Sequence, residues 1–168
     1  MLIEIWSDVV CPWCYIGKRR IENALAAFDH ADEVEVHWRS YELDPGAPTE
    51  PTEHTSVMLA RKYGQSPQGA QQMQDRVEEA LFAAYFTEAR NIADHAVLRE
   101  VAVTAGLDGA RVDEVLGSRE FEDEVRADVE QAQAYGATGV PFFVIDQKYA
   151  VSGAQPTEVF TQVLERAV

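Results

Sequence analysis

The run Glu4-Ile5-Trp6-Ser7-Asp8-Val9-Val10-Cys11-Pro12-Trp13-Cys14-Tyr15-Ile16-Gly17-Lys18 holds both cysteines of this 168-residue chain. Residues 2–6 read as a short, mostly apolar strand, 7–10 as a loop, and Cys-Pro-Trp-Cys as the opening of a helix. Ile21, Ala24, Leu25 and Phe28 recur at i, i+3, i+4 and i+7, which makes one buried helical face. Val34, Val36 and Trp38 alternate with Glu35, His37 and Arg39, so a second strand follows with one polar face. Strand, helix, strand is a βαβ unit, and the right-handed crossover makes its strands parallel.

The chemistry of the motif follows from its place. A free thiol of pKa about 8.5 is mostly protonated at neutral pH. Unpaired N–H groups and the positive dipole end at a helix start stabilise the thiolate instead. Cys11 stands before the helix and Cys14 one turn inside it, so Cys11 is the more exposed and better-stabilised sulfur, and the natural nucleophile. Cys14 is within reach to attack a mixed disulfide formed at Cys11. Pro12 fixes φ where a helix start tolerates it. A structural disulfide here would contribute only about 2 kcal/mol through loop entropy. Zinc wants four ligands, and the chain has no second Cys pair, while His30, His37, His54 and His95 are scattered.

Beyond residue 44 the pattern changes. A Pro-rich loop over 44–52 leads to a short helix at 57–63, closed by Gly64. Ser66-Pro67 starts a longer helix that runs to about residue 88 on Met73, Val77, Ala80, Leu81 and Ala84. Asp94 caps a helix that stops at Gly106, and Asp108 and Ser118 are read as caps of two more, the last ending near Gly136. Strands return at 142–145 and 148–152, joined at Asp146-Gln147, and Pro156 opens a closing helix with Val159, Phe160, Val163 and Leu164 inside.

Composition narrows the function classes. With 46% hydrophobic and 26% charged residues the chain is neither disordered nor a disulfide-rich secreted scaffold. Fourteen basic against 29 acidic residues give a net charge of −15, which argues against nucleic acid and anionic membrane as partners. No apolar run spans a bilayer and the first residues lack a signal-peptide pattern, so the expected compartment is the cytoplasm.

Thr138-Gly139-Val140-Pro141 before a strand is the second informative element, because a cis Val140–Pro141 bond would aim the Val140 backbone at a bound partner. The opening run, Gly139-Val140-Pro141-Phe142-Phe143 and Ser152-Gly153-Ala154-Gln155 together resemble the FrnE-like branch of the DsbA family. That resemblance covers nearly the whole chain. It implies an α/β thioredoxin-like fold (βαβ–ββα) over 1–52 and 136–168, with an all-helical domain inserted over 53–135. It also implies Cys11 as attacking thiol, Cys14 as resolving thiol and Pro141 as a cis-proline facing them. Pro12, Trp13 and the Val140 backbone would then meet an extended peptide or thiol substrate. No metal and no dissociable cofactor is called for, because the cysteines carry the electrons. In that family another helical stretch usually precedes the segment from Leu81 onward, whereas Val77-Glu78-Glu79-Ala80 runs straight into it here, so the insertion is expected to be shortened.

The expected activity is thiol–disulfide oxidoreduction or isomerisation on protein or small-thiol substrates. A glutathione-dependent isomerase of the 2-hydroxychromene-2-carboxylate type is the first rival, since it shares the fold branch but commonly carries Ser where Cys11 stands. A non-catalytic binding protein on the same fold is the second. Four side readings accompany these. Glu4 is a buried carboxylate that could relay the Cys14 proton, or else a solvated one. Asp8 is a turn residue rather than a base. Lys18, Arg19 and Arg20 are a solvated helix face. Phe82, Tyr85 and Phe86 widen the apolar band of the 67–88 helix, which a second copy could cover in a twofold homodimer if the remaining helices do not.

Overall fold

A computed structural model describes residues 1–46 and 72–168. The chain divides into two compact units, 1–43 with 123–168, and 44–122. In the first, β1 (Leu2–Ser7) lies parallel to β2 (Glu35–Ser40), and α1 (Pro12–Ala26) makes the crossover between them. β3 (Phe142–Ile145) runs antiparallel to β1 and pairs with β4 (Tyr149–Ser152), giving the sheet order β2-β1-β3-β4. Asp146 and Gln147 both take positive φ (48° and 55°), the two-residue turn whose twist matches an antiparallel hairpin.

Strand alternation decides which residues meet which helix. Ile3 and Ile5 of β1 pack with Val36, Phe143, Ile145 and Val151 against Ile21 and Ala24 of α1 and Phe160 and Leu164 of the last helix (Thr157–Ala167). The opposite face carries Trp6, Phe142 and Val144, covered by Ala132 and Ala137. Ala132 belongs to the helix Glu122–Ala134. That helix falls with the sheet unit, whereas the sequence reading ended the insertion after it, at 135. Side-chain chemistry holds it there. Trp6 Nε1 donates to the Asp128 carbonyl at 2.7 Å, Asp128 Oδ2 accepts the Ser40 N–H at 2.9 Å, and Arg39 Nη1 reaches Asp128 Oδ1 at 3.3 Å.

The second unit holds α2 (Gln72–Phe82), which passes into a π-helical turn (Ala83–Thr87), then α3 (His95–Thr104) and α4 (Gly109–Leu116). The helix Glu122–Ala134 is thus α5, and Thr157–Ala167 is α6. Asp94 and Asp108 are true caps, accepting from Ala96 N and Arg111 N. Ser118 is not: its Oγ bonds Val115 O and Glu120 N around the end of α4, and α5 starts only at Glu122. Phe82 and Phe86 are buried, so two of the three aromatics expected on the apolar band have little surface to offer a second copy. The expected loop at 47–52, the helix at 57–63 and the Ser66-Pro67 start lie outside the described residues. Among the described residues no helix is long and apolar enough to cross a membrane.

One bridge supports the sheet unit from behind. Glu4 is 2% exposed, and its Oε1 accepts from Arg39 Nη2 at 2.7 Å and Nε at 3.1 Å. Removing the guanidinium would leave a buried carboxylate uncompensated. Arg39→Ala should therefore lower stability by about 2–3 kcal/mol, less than for a fully buried pair because Arg39 is 33% exposed, read as a lower urea midpoint at unchanged slope.

Candidate active site

Cys11 is the residue before α1, with extended backbone angles (φ −87°, ψ 112°), and Pro12 occupies the first helical position. Its carbonyl accepts the Cys14 N–H at 3.0 Å, and its own N–H donates to Asp8 O at 2.9 Å. Both cysteines are free thiols. Cys14 is 1% exposed and Cys11 4%, so Cys11 is the more open sulfur by a small margin only, not the accessible group that its place at a helix start suggests. The loop before β3 accounts for this, because Cys11 Sγ lies 3.6 Å from Val140 O, where only the protonated sulfur can donate to that carbonyl. The Val140–Pro141 peptide is cis. Cys11, Cys14, Pro12, Val140 and Pro141 thus belong to one constellation, with Trp13 at its rim, 55% exposed.

The two thiols share one proton economically. The Cys14 S–H donates to the Cys11 sulfur, and the N–H groups of Cys14 and Trp13 add to it, holding Cys11 at about pKa 6 against burial and the nearby Asp8 charge. The same hydrogen bond, with burial, pushes Cys14 far above the ordinary thiol range. A thiolate beside a retained thiol is the arrangement that thiol exchange needs.

Three residues hold the cis loop against α1. Gly17, one helical turn beyond Cys14, passes so close that an added Cβ would stand 2.7 Å from Pro141 Cγ and 3.1 Å from Phe143 Cζ. Gly153, at φ +77°, donates its N–H to Pro141 O at 2.8 Å. Arg20 Nη1 donates to the neighbouring Ala154 carbonyl. None of the three was singled out by sequence reasoning for a role. The signal was there for Gly17, since glycine inside a helix costs about 1 kcal/mol relative to alanine and so asks for a packing reason.

The side readings sort as follows. Glu4 projects from the Trp6 side of the sheet toward Arg39, across from the face that packs on α1, so the relay beneath the Cys pair gains no geometric support. Asp8 is a turn residue, accepting Val10 N at 3.1 Å and Leu43 N at 2.9 Å. The solvated-face reading fails for Lys18, which is 2% exposed, bonded to Glu22 and 5.5 Å above the Trp38 ring.

Three outcomes follow. Thiolate absorbance should titrate near pH 6 in the wild type and lose that transition in Cys11→Ser. Cys14→Ala should move it up toward the ordinary thiol range, while Cys14→Ser, which keeps a donor, holds most of the shift. Because the folded pKa lies below the unfolded one, the reduced protein should gain stability as pH rises from about 6 to about 8.5 and lose it on the way down. Gly17→Ala should cost about 1–3 kcal/mol by overpacking Pro141, measured by urea denaturation.

Comparison with known proteins agrees with this architecture. The sequence model of the DSBA-like thioredoxin domain matches residues 2–67 and 66–165. A probable DsbA oxidoreductase from Streptomyces coelicolor superposes with a TM-score of 0.83 at 41% identity, covering 99% of this chain and 89% of that one. The uncharacterized protein YwbO of Bacillus subtilis is 28% identical over 194 positions, covering 96% of this chain and 94% of YwbO. That span exceeds the 168 residues present, so YwbO has residues without a counterpart here. A 2-hydroxychromene-2-carboxylate isomerase shares the fold alone, with a TM-score of 0.66 at 11% identity, covering 99% of this chain and 95% of that one. With both halves of the thioredoxin-like unit and its inserted helices matched, the chain belongs to the DSBA-like thioredoxin domain family.

Proposed function

We propose that this protein is a thiol–disulfide oxidoreductase in which Cys11 attacks and Cys14 resolves. The observation that carries this is the placement of the pair, with Cys11 at the open start of α1 beside the Val140 carbonyl of the cis loop and the buried Cys14 one turn inside. In the reducing direction the Cys11 thiolate attacks one sulfur of a substrate disulfide. A Cys11–substrate S–S bond forms, and the other substrate sulfur leaves as a thiolate and takes a proton. Cys14 then attacks Cys11 Sγ as its proton passes to the departing substrate sulfur, closing the Cys11–Cys14 disulfide and releasing the second substrate thiol. The substrate gains two electrons and the pair loses two; a dithiol or small-thiol reductant restores it. Run backward, the same steps oxidise a substrate dithiol.

Substrate must first replace the Val140 carbonyl at Cys11 Sγ. An extended peptide does this while pairing with the Val140 main chain, a short β-augmentation beside the reacting sulfur. A pKa of about 6 makes Cys11 both an adequate nucleophile at neutral pH and a good leaving group, which suits turnover in either direction. The isomerase alternative needs a single group at position 11 and assigns no task to the buried Cys14 thiol.

The purified protein should accelerate insulin reduction by dithiothreitol and oxidative refolding of a reduced substrate. Cys11→Ser should abolish both, and Cys14→Ser should accumulate mixed disulfides visible by intact-protein mass. The attack rate should rise about tenfold per pH unit below pH 6 and level off above it. Wild-type rates in both cysteine variants would overturn the assignment.

A further inference from the structure

The surroundings of Cys11 are apolar in shape and negative in charge. Val10 (40% exposed), Trp13 (55%) and Leu43 (44%) are three of the most exposed large hydrophobic side chains among the described residues of the chain. They belong to one place. Asp8 accepts the Val10 N–H on one carboxylate oxygen and the Leu43 N–H on the other, tying the two loops together, and its backbone carbonyl takes the Cys11 N–H. Trp13 lies within the motif itself. The collar around the sulfur is thus built on a carboxylate, and the exposed Glu42 adjoins Leu43 in the same segment.

Among the described residues, the groups that face the reacting sulfur add no compensating cation. Val140 presents its carbonyl oxygen, and the charged side chain whose field is felt at Cys11 is Asp8, acting against the thiolate. Cations of α1 are turned to other work: Lys18 and Arg19 hold Glu22, and Arg20 holds the Ala154 carbonyl. The whole chain carries −15.

We propose that this collar selects disulfides borne on apolar, cationic segments and disfavours anionic ones, glutathione disulfide among them. The selection rests on the oxidoreductase reading above and names its substrate class. An apolar side chain beside the reacting cystine covers Trp13, Val10 and Leu43. A neighbouring Lys or Arg meets Asp8 and Glu42, whereas the carboxylates of glutathione meet the same two groups with repulsion and find no nearby cation.

The test compares three small symmetrical disulfides with the reduced full-length protein. Cystamine is dicationic, bis(2-hydroxyethyl) disulfide neutral and dithiodipropionate dianionic. Second-order rate constants for mixed-disulfide formation are each divided by that for 2-mercaptoethanol, which removes intrinsic reactivity. The normalised cystamine rate should exceed the dithiodipropionate rate by about fivefold or more at low salt, with the neutral compound between them. In about 1 M salt, where screening acts within roughly 3 Å, the ratio should approach one. Asp8→Asn and Glu42→Gln should each reduce the low-salt ratio; taking a ratio cancels any change in thiolate fraction. Trp13→Ala should slow a model peptide disulfide with leucines beside the cystine by a larger factor than it slows the hydroxyethyl compound. Equal or reversed rates, or a preference that salt leaves intact, overturn the charge selection while sparing the oxidoreductase assignment. Failure to react with any of the three overturns that assignment and the selection with it.

Discussion

Everything at the reactive end depends on one hydrogen bond between sulfurs at the open amino end of α1. A thiolate needs donors, and the helix start offers its free N–H groups, but burial opposes them. The Cys14 thiol supplies the remaining stabilisation from one turn further in, which is why it sits so deep and holds its proton so firmly. The short spacer makes this geometry available. Pro12 sets φ at the first turn, and Trp13 is left to face outward because both neighbours in the motif face inward. Among the described residues, the charged group felt at Cys11 is Asp8, and it works against the thiolate.

That pair is aimed by contacts far apart in the chain. Residues 11–20 lie at one end of the sequence and 140–154 at the other, yet Gly17 touches Pro141, Arg20 holds Ala154 and Gly153 holds Pro141. The antiparallel pairing of β1 with β3 brings the two stretches together, with Trp6 opposite Phe142 at the end nearest the motif. The register of two central strands, not any local propensity, thereby sets how closely the carbonyl of Val140 approaches the Cys11 sulfur.

The elements were legible in the sequence wherever a local rule governs them. Alternation at Val34, Val36 and Trp38, the helical spacing of Ile21, Ala24 and Leu25, and the caps at Asp94 and Asp108 depend on near neighbours and stand as read. What depended on distant partners was not legible. Glu4 reads more readily as a solvated group than as a relay until Arg39 is seen beside it, and Lys18 reads as solvated until Trp38 and Glu22 enclose it. Ser118 carries the right residue type for a cap, but its hydroxyl is used one step earlier, in closing α4. The grouping of α5 with the sheet follows from Trp6 and Arg39 gripping Asp128, a contact across more than eighty positions of sequence.

The grip on Asp128 has a consequence for how such chains diverge in length. The helical unit leaves the sheet unit after Leu43, whose N–H is fixed by Asp8, and the chain returns through α5, fixed at Asp128. Both ends of the excursion are thus fastened to the redox unit by bonds that belong to that unit. Lengthening a flexible connection within it costs a loop-closure entropy that grows slowly, about 0.6 kcal/mol for each doubling, and leaves the fastening points alone. The stretch between positions 44 and 122 is thereby free to vary in length while the two fastenings, and the sheet that carries the cysteines, stay in place.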